Sequence, residues 1–359
     1  MKISRFFIRL LISFFWVTIF FLILYLPRFF HSTKEEVPTL NLFSWPEILS
    51  PKIVEEFEKN YGIKIKRHYY TSNEELLVKL KATGGKGYDL IIPSDYMVKK
   101  LSSEKLIKPI NLEELPFFHE LSPLLINQPF DPGNRYSIPY TWEAIGFGIN
   151  LSEHQGKPSE ATWEEAFHPS SLKHKLSMIN DPVEAIDCAA RYLFGTRERI
   201  EEREIAQIRS LLKEQKKGVE AYAGVRGDYL LMTKNCHFAV IPSSYVLRAS
   251  HQYSHIDFII PKPYTFLSIE NFCIPVSSQK ESLVYTFINY LFQPEVIAEE
   301  AKRFYNFPAL LSAAPDLVEC PLYHKTLLTL ENYDGTFYYT RDLISETEAR
   351  TLWIKLKSD

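Results

Sequence analysis
The chain has 359 residues, of which 46% are hydrophobic and 24% charged, enough for two packed units and a substantial core. Its formal charge is −3, from 41 basic and 44 acidic side chains. That mildly acidic balance argues against a nucleic-acid partner and suits a cationic ligand.

Lys2, Arg5 and Arg9 precede an uncharged, mainly apolar run from Leu10 to Leu26, followed by Pro27 and Arg28. A basic flank before an apolar stretch is an export signal, and 17 residues sit at the lower edge of what spans a bilayer. No small-residue cleavage site follows Leu26 and no cysteine stands nearby for lipid attachment. Residues 1–29 are therefore read as a signal peptide or an uncleaved membrane anchor, and 30–38 as a linker. The body beyond them is expected outside the cytoplasm, in the periplasm, tethered to the inner membrane if the leader stays. Without residues 1–29 it carries 37 basic against 44 acidic side chains, a net −7. Cys188, Cys236, Cys273 and Cys320 are widely spaced with no C-x-x-C, so one or two disulfides are open and no pairing is assignable. His251 and His255 stand four apart with no further ligand type gathered near them, and no metal or cofactor is expected.

From residue 40 strand-like and helical segments alternate. Leu40–Phe43 reads as a strand, and Ser50 and Pro51 open a helix with apolar Ile53, Val54 and Phe57 on one face. Ile63–Tyr69 is a strand, Asn73–Ala82 an amphipathic helix, and Tyr88–Pro93 a short buried strand. This order predicts an α/β architecture with a parallel sheet. Ser137–Asn150 is a long extended stretch suited to crossing between lobes. A helix at Trp163–Phe167, a strand at Leu176–Ile179 and a helix from Pro182 follow. Strands are expected at Phe238–Ile241, Asp257–Ile260 and Phe272–Val276, with helices at Glu281–Phe292 and Glu346–Lys357.

Enzyme signatures are not evident. Gly84-Gly85-Lys86-Gly87 lacks the Lys-Ser/Thr ending of a phosphate loop, and no G-x-S-x-G occurs. Asp181-Pro182-x-Glu184 has the cap, N1 proline and N3 acid of a helix start, and Pro93-Ser94-Asp95 reads as a strand end followed by a cap.

NLFSWPEI (41–48), YDLIIPSDYMVKKL (88–101) and YSIPYTWEAIGFGIN (136–150), with FCIP (272–275) and INYLFQPEVIAEEA (288–301), resemble the spermidine/putrescine-binding proteins of bacterial polyamine importers. So does TWEEAFHPSSLKHKLSMIND (162–181). The resemblance implies a type II periplasmic-binding-protein fold: two α/β lobes joined by crossing strands, with a ligand cleft between. On that reading residues 39–145 begin the first lobe, 146–275 form the second, and the helices of 276–359 return to the first and close the cleft. It also implies a polyamine ligand, permease and ATPase partners of an ABC importer, and no catalysis. Its site residues fall on Trp45, Glu47, Ser94, Asp95, Tyr96, Asp181, Glu184, Tyr245, Glu270 and Phe307.

Such a slot suits the ligand, because buried ammonium groups need carboxylates and the methylenes between them need apolar or aromatic walls. A helix N-terminus also favours ionised carboxylates at Asp181 and Glu184. Ile48, Ser268 and Phe307 stand where the family carries aromatics or a tyrosine, with Phe266 or Leu267 the nearest replacement for the aromatic missing at 268. Two alternatives stay open: another small cationic solute, or a tethered binding protein that has lost polyamine affinity.

Overall fold
In a computed structural model, residues 2–29, 37–152, 161–168, 175–197, 199–310, 312–313, 320–341 and 343–358 are described. Helix α1 (Lys2–Phe29) contains the span Phe7–Tyr25, with mean hydropathy 2.5 and no part of it buried against the body. It is long and apolar enough to cross a membrane. Most of the expected linker lies outside the described residues.

The first lobe is built from β1 (Thr39–Ser44), α2 (Pro51–Tyr61), β2 (Lys64–Tyr69), α3 (Asn73–Thr83), β3 (Leu90–Ile91) and α4 (Asp95–Ser103). Its strands are parallel, in the order β2-β1-β3. Local chemistry sets the elements. Ser50 Oγ accepts the Ile53 N–H at 3.3 Å and Pro51 fills the first turn of α2; Gly62, at φ 67°, ends it. The face it buries is the expected one, Ile53, Val54 and Phe57.

Strand β4 (Ile138–Asn150) then crosses between the lobes. The second lobe adds α5 (Trp163–Phe167), β5 (Leu176–Met178), α6 (Pro182–Phe194), α7 (Glu202–Lys216) and β6 (Val219–Tyr222). It continues with α8 (Gly227–Met232), β7 (Phe238–Pro242), α9 (Ser243–Gln252), β8 (Ile256–Ile259) and β9 (Tyr264–Phe272). Residues 138–145 of β4 pair antiparallel with β9, while its later half pairs with β7 and β8. The end of β9 and the residues after it bridge Ser94 from Glu270, Ile91 from Cys273 and Ile107 from Pro275, which joins the edge of the first sheet.

Four expectations change. No strand forms over the expected 272–276, because β9 runs Tyr264–Phe272 and ends there, and Cys273 and Pro275 make only isolated bridges. The boundary at 145/146 falls inside β4, a continuous strand. His251 and His255, whose spacing of four would suit one helical face, do not share one, because α9 ends at Gln252. All four cysteines are buried and unpaired.

After β9 come α10 (Glu281–Leu291), α11 (Pro294–Phe304), β10 (Phe307–Pro308), α12 (Pro321–Glu331), β11 (Thr336–Tyr339) and α13 (Glu346–Ser358). Helix α10 does return to the first lobe, where Phe287 meets Phe57 with ring centroids 4.7 Å apart. The last helix departs from the expected course, because α13 packs on α6 and α7 of the second lobe. An inward-facing ion pair helps hold the chain there. Arg191 of α6 pairs with Asp187 at 3.3 Å and stacks over Tyr338 of β11 at 3.9 Å.

The crossing strand leaves no room at its glycines. A Cβ at Gly146 would lie 2.5 Å from the Phe258 ring and 2.7 Å from the Ile259 carbonyl oxygen. The carbonyl belongs to the sheet and cannot move aside, so Gly146→Ala is expected to destabilise the body by about 1–3 kcal/mol. Urea denaturation measures this, and an unchanged midpoint and slope would contradict the tight passage.

Candidate binding cleft
A cleft of about 710 Å³ opens between the lobes. Parallel strands deliver their following residues to it, as open α/β sheets do at their carboxyl ends. Trp45 and Glu47 follow β1, Ser94 follows β3, Asp181 follows β5, and Tyr245 follows β7 in the first turn of α9. The crossing pair supplies the floor. Thr141 lies opposite Glu270 and Glu143 opposite Ser268, two residues apart on each strand, so all four project to one face.

Eight of the ten expected site residues meet at this cleft: Trp45, Glu47, Ser94, Tyr96, Asp181, Glu184, Tyr245 and Glu270. The other two do not. Asp95 is buried behind the wall with its Oδ1 accepting the Tyr96 N–H at 2.6 Å. Phe307 is fully buried in β10, its ring 4.9 Å from Trp142 and 4.8 Å from Tyr323, because the bend after α11 turns Phe304 and Asn306 to the cleft instead. Nor do Phe266 and Leu267 replace the missing aromatic. Leu267 points to the face of β9 opposite Ser268 and is buried in one core, while Phe266, on the same face as Ser268, is buried in the second-lobe core against Trp163. Trp142 and Phe304 line the cleft in addition to Trp45, Tyr96 and Tyr245.

The polar contacts are specific. Glu270 accepts from Trp45 Nε1 at 2.8 Å through one oxygen and from Ser94 Oγ at 2.7 Å through the other. Tyr96 donates its hydroxyl to Glu74 at 3.1 Å. Asp181 Oδ1 caps α6, accepting from the N–H groups of Val183 at 2.8 Å and Glu184 at 3.0 Å. The reciprocal half of a capping box does not form at this helix, whose Glu184 side chain lines the cleft. Glu143 accepts a short hydrogen bond from Ser244 Oγ.

Among the described residues the lining includes seven carboxylates, Glu47, Glu74, Glu143, Asp181, Glu184, Asp228 and Glu270, against two guanidiniums, Arg226 and Arg248. Crowding of acids away from water has a direct cost. Burial pushes the Glu270 carboxyl up to about 7, with Glu143 adding to the rise and the bonds from Ser94 and Trp45 opposing it. Glu184 is driven well above the usual carboxylate range, first by burial and then by Asp181, Asp95, Glu143 and Glu270. Glu143 rises through burial as well. The helix N-terminus was expected to favour the ionised Glu184; burial and the neighbouring acids act against it and raise the carboxyl.

Glu143, Glu74 and Asp228 were not singled out by sequence. Glu143 had a visible signal, as the one charged residue of a 13-residue, mostly apolar strand. Glu74 and Asp228 sit in first helical turns, where acids are ordinary, and carried none.

Residues 52–321 match the family model described as bacterial extracellular solute-binding protein. The spermidine/putrescine-binding periplasmic protein of Escherichia coli strain K12 is 30% identical over 280 residues, covering 78% of this chain and 80% of that one. A putrescine-binding periplasmic protein of the same organism is 25% identical, again over 78% and 80%. Among solved structures, the spermidine/putrescine ABC transporter substrate-binding protein of Streptococcus pneumoniae superposes with a TM-score of 0.74. The superposition covers 89% of this chain and 99% of that one at 20% identity, and shows the periplasmic-binding-protein fold.

The raised Glu270 carboxyl has a consequence for stability. The folded state holds this proton more tightly than the unfolded chain does. Its contribution to stability is therefore full below the ordinary value of 4.5 and is lost as pH rises toward about 7. Glu270→Gln removes the effect. In urea denaturation the ligand-free variant is expected to exceed the wild type by about 1–3 kcal/mol at pH 8 and to match it near pH 4. A variant less stable than wild type at pH 8 would contradict this.

Proposed function
Because the chain belongs to the bacterial extracellular solute-binding protein family, we propose that it captures spermidine or putrescine outside the cytoplasm and delivers it to the permease and ATPase of an ABC importer. The observation that carries this reading is the cleft's charge and walls together. Seven carboxylates and five aromatic rings face one space between two lobes. Polyamines are chains of methylenes bearing ammonium groups whose pKa values lie near roughly 10, so each amine enters charged. The acids supply the charge partners, while Trp45, Tyr96 and Tyr245 supply apolar walls and cation–π faces. The named relatives bind molecules of this kind.

Membrane tethering belongs to the same proposal. The apolar helix α1 is suited to remain as an anchor, which would keep the receptor beside its permease. Mass spectrometry of the mature protein is expected to find residues 1–29 still present, and a mature N-terminus at or beyond His31 would exclude the anchor. Capture and release, rather than turnover, is the work assigned to the site.

A cation entering the cleft favours the ionised acids, so binding displaces protons from Glu270 and Glu184. Affinity is expected to weaken as pH falls through about 7, the value to which Glu270 is raised. At pH 7.5, Glu184→Gln and Glu270→Gln each leave an amine without its carboxylate, at an expected cost of about 2–5 kcal/mol. Titration calorimetry on residues 33–359 tests both expectations. A wild type that ignores every polyamine would remove the function, whereas full binding by both variants would remove only their assigned roles.

A further inference from the structure
Arg248 stands inside the acidic cleft in surroundings made for a cation. It lies on α9 of the second lobe, with Nη2 3.4 Å from Asp228 Oδ2 and Nη1 3.9 Å from Glu47 Oε2 across the cleft. Its guanidinium carbon sits 5.1 Å from the centre of the Tyr245 ring. Two carboxylates and an aromatic face are the partners a desolvated ammonium group requires. All four side chains line the same space as Glu270, Asp181 and Glu184.

We infer that Arg248 is a resident cation that fills one amine station of the cleft and sets its preference for diamines over triamines. This rests on the polyamine reading given above. The stations assigned to a ligand are Glu270, held by Trp45 and Ser94, and Glu184 with its neighbour Asp181, while Glu74 and Glu143 accept from the hydroxyls of Tyr96 and Ser244. Two stations match the two ammonium groups of putrescine. A third ammonium placed toward Asp228 and Glu47 meets a fixed positive charge and finds its carboxylates engaged.

Neither ion pair is deeply buried, since the Arg248 side chain is 42% exposed and Glu47 71%. Exposed pairs contribute little to stability, so the effect of Arg248 lies in what it excludes. Removing it should leave the fold intact and change selectivity.

The test measures Kd for putrescine and spermidine by calorimetry at pH 7.5 and low salt, on the wild type, Arg248→Met and Arg248→Lys. Methionine keeps an unbranched, flexible chain without the charge, and lysine keeps the charge. The Met variant is expected to shift the spermidine-to-putrescine affinity ratio toward spermidine by about tenfold, a change of ~1.4 kcal/mol. The Lys variant is expected to stay within about threefold of the wild-type ratio. An unchanged ratio in the Met variant, or an equal shift in the Lys variant, overturns the role of the resident charge while the polyamine function stands. If all three proteins ignore both ligands, the proposed function fails and this inference with it.

Discussion

The antiparallel pairing of β4 with β9 carries both lobes and the floor of the cleft at once. Strands that run between two cores must be apolar over most of their length, and Ile138, Tyr140, Ala144, Phe147 and Ile149 of β4 are buried accordingly. Against that background Thr141, Glu143, Ser268 and Glu270 form one polar patch fixed by register. Slipping β9 by one residue against β4 would turn Glu270 toward the core, where a carboxylate has no partner, and part it from Glu143. The register that closes the sheet is thus also the register that aims the acids.

Several side chains at the cleft give up a stabilising role that their position offers. Ser94 has the extended backbone of an N-cap, at φ −72° and ψ 163°, but makes no side-chain cap bond to α4 and donates its hydroxyl to Glu270. Glu184 sits at the third position of α6 without completing a capping box. A missing cap costs about 1 kcal/mol, and crowded acids cost more. These costs fall together at the mouth between the lobes, where the side chains face the cleft rather than the backbone they could cap.

Much of this was legible in the sequence. Caps and prolines marked α2 and α6, alternation marked β4, and the acids and tyrosines after strand ends marked most of the cleft. Asp95 was misplaced because adjacent residues at a helix start point in different directions, and Phe307 because it falls in β10, where pairing with β4 turns its ring against Trp142. The course of α13 was hidden for another reason. Its apolar face, Ala349, Leu352, Trp353 and Leu356, would suit either lobe. The choice rests on distant partners such as Tyr222, 5.1 Å from Trp353. Arg248 was invisible as a site residue, since only the folded cleft brings Asp228, Glu47 and Tyr245 around it.

The four buried cysteines have a bearing on how the protein matures. Burial pushes the Cys188 and Cys273 thiols well above their ordinary range and Cys236 up to about 11. Thiol–disulfide exchange proceeds through the thiolate, so once folded these three are poor nucleophiles as well as out of reach. An exported chain meets oxidants while it is still unfolded, however, and then all four sulfurs are accessible. Folding with the thiols free ends that exposure by burying them. In an oxidising compartment folding therefore races oxidation, with burial of the thiols as its finishing line.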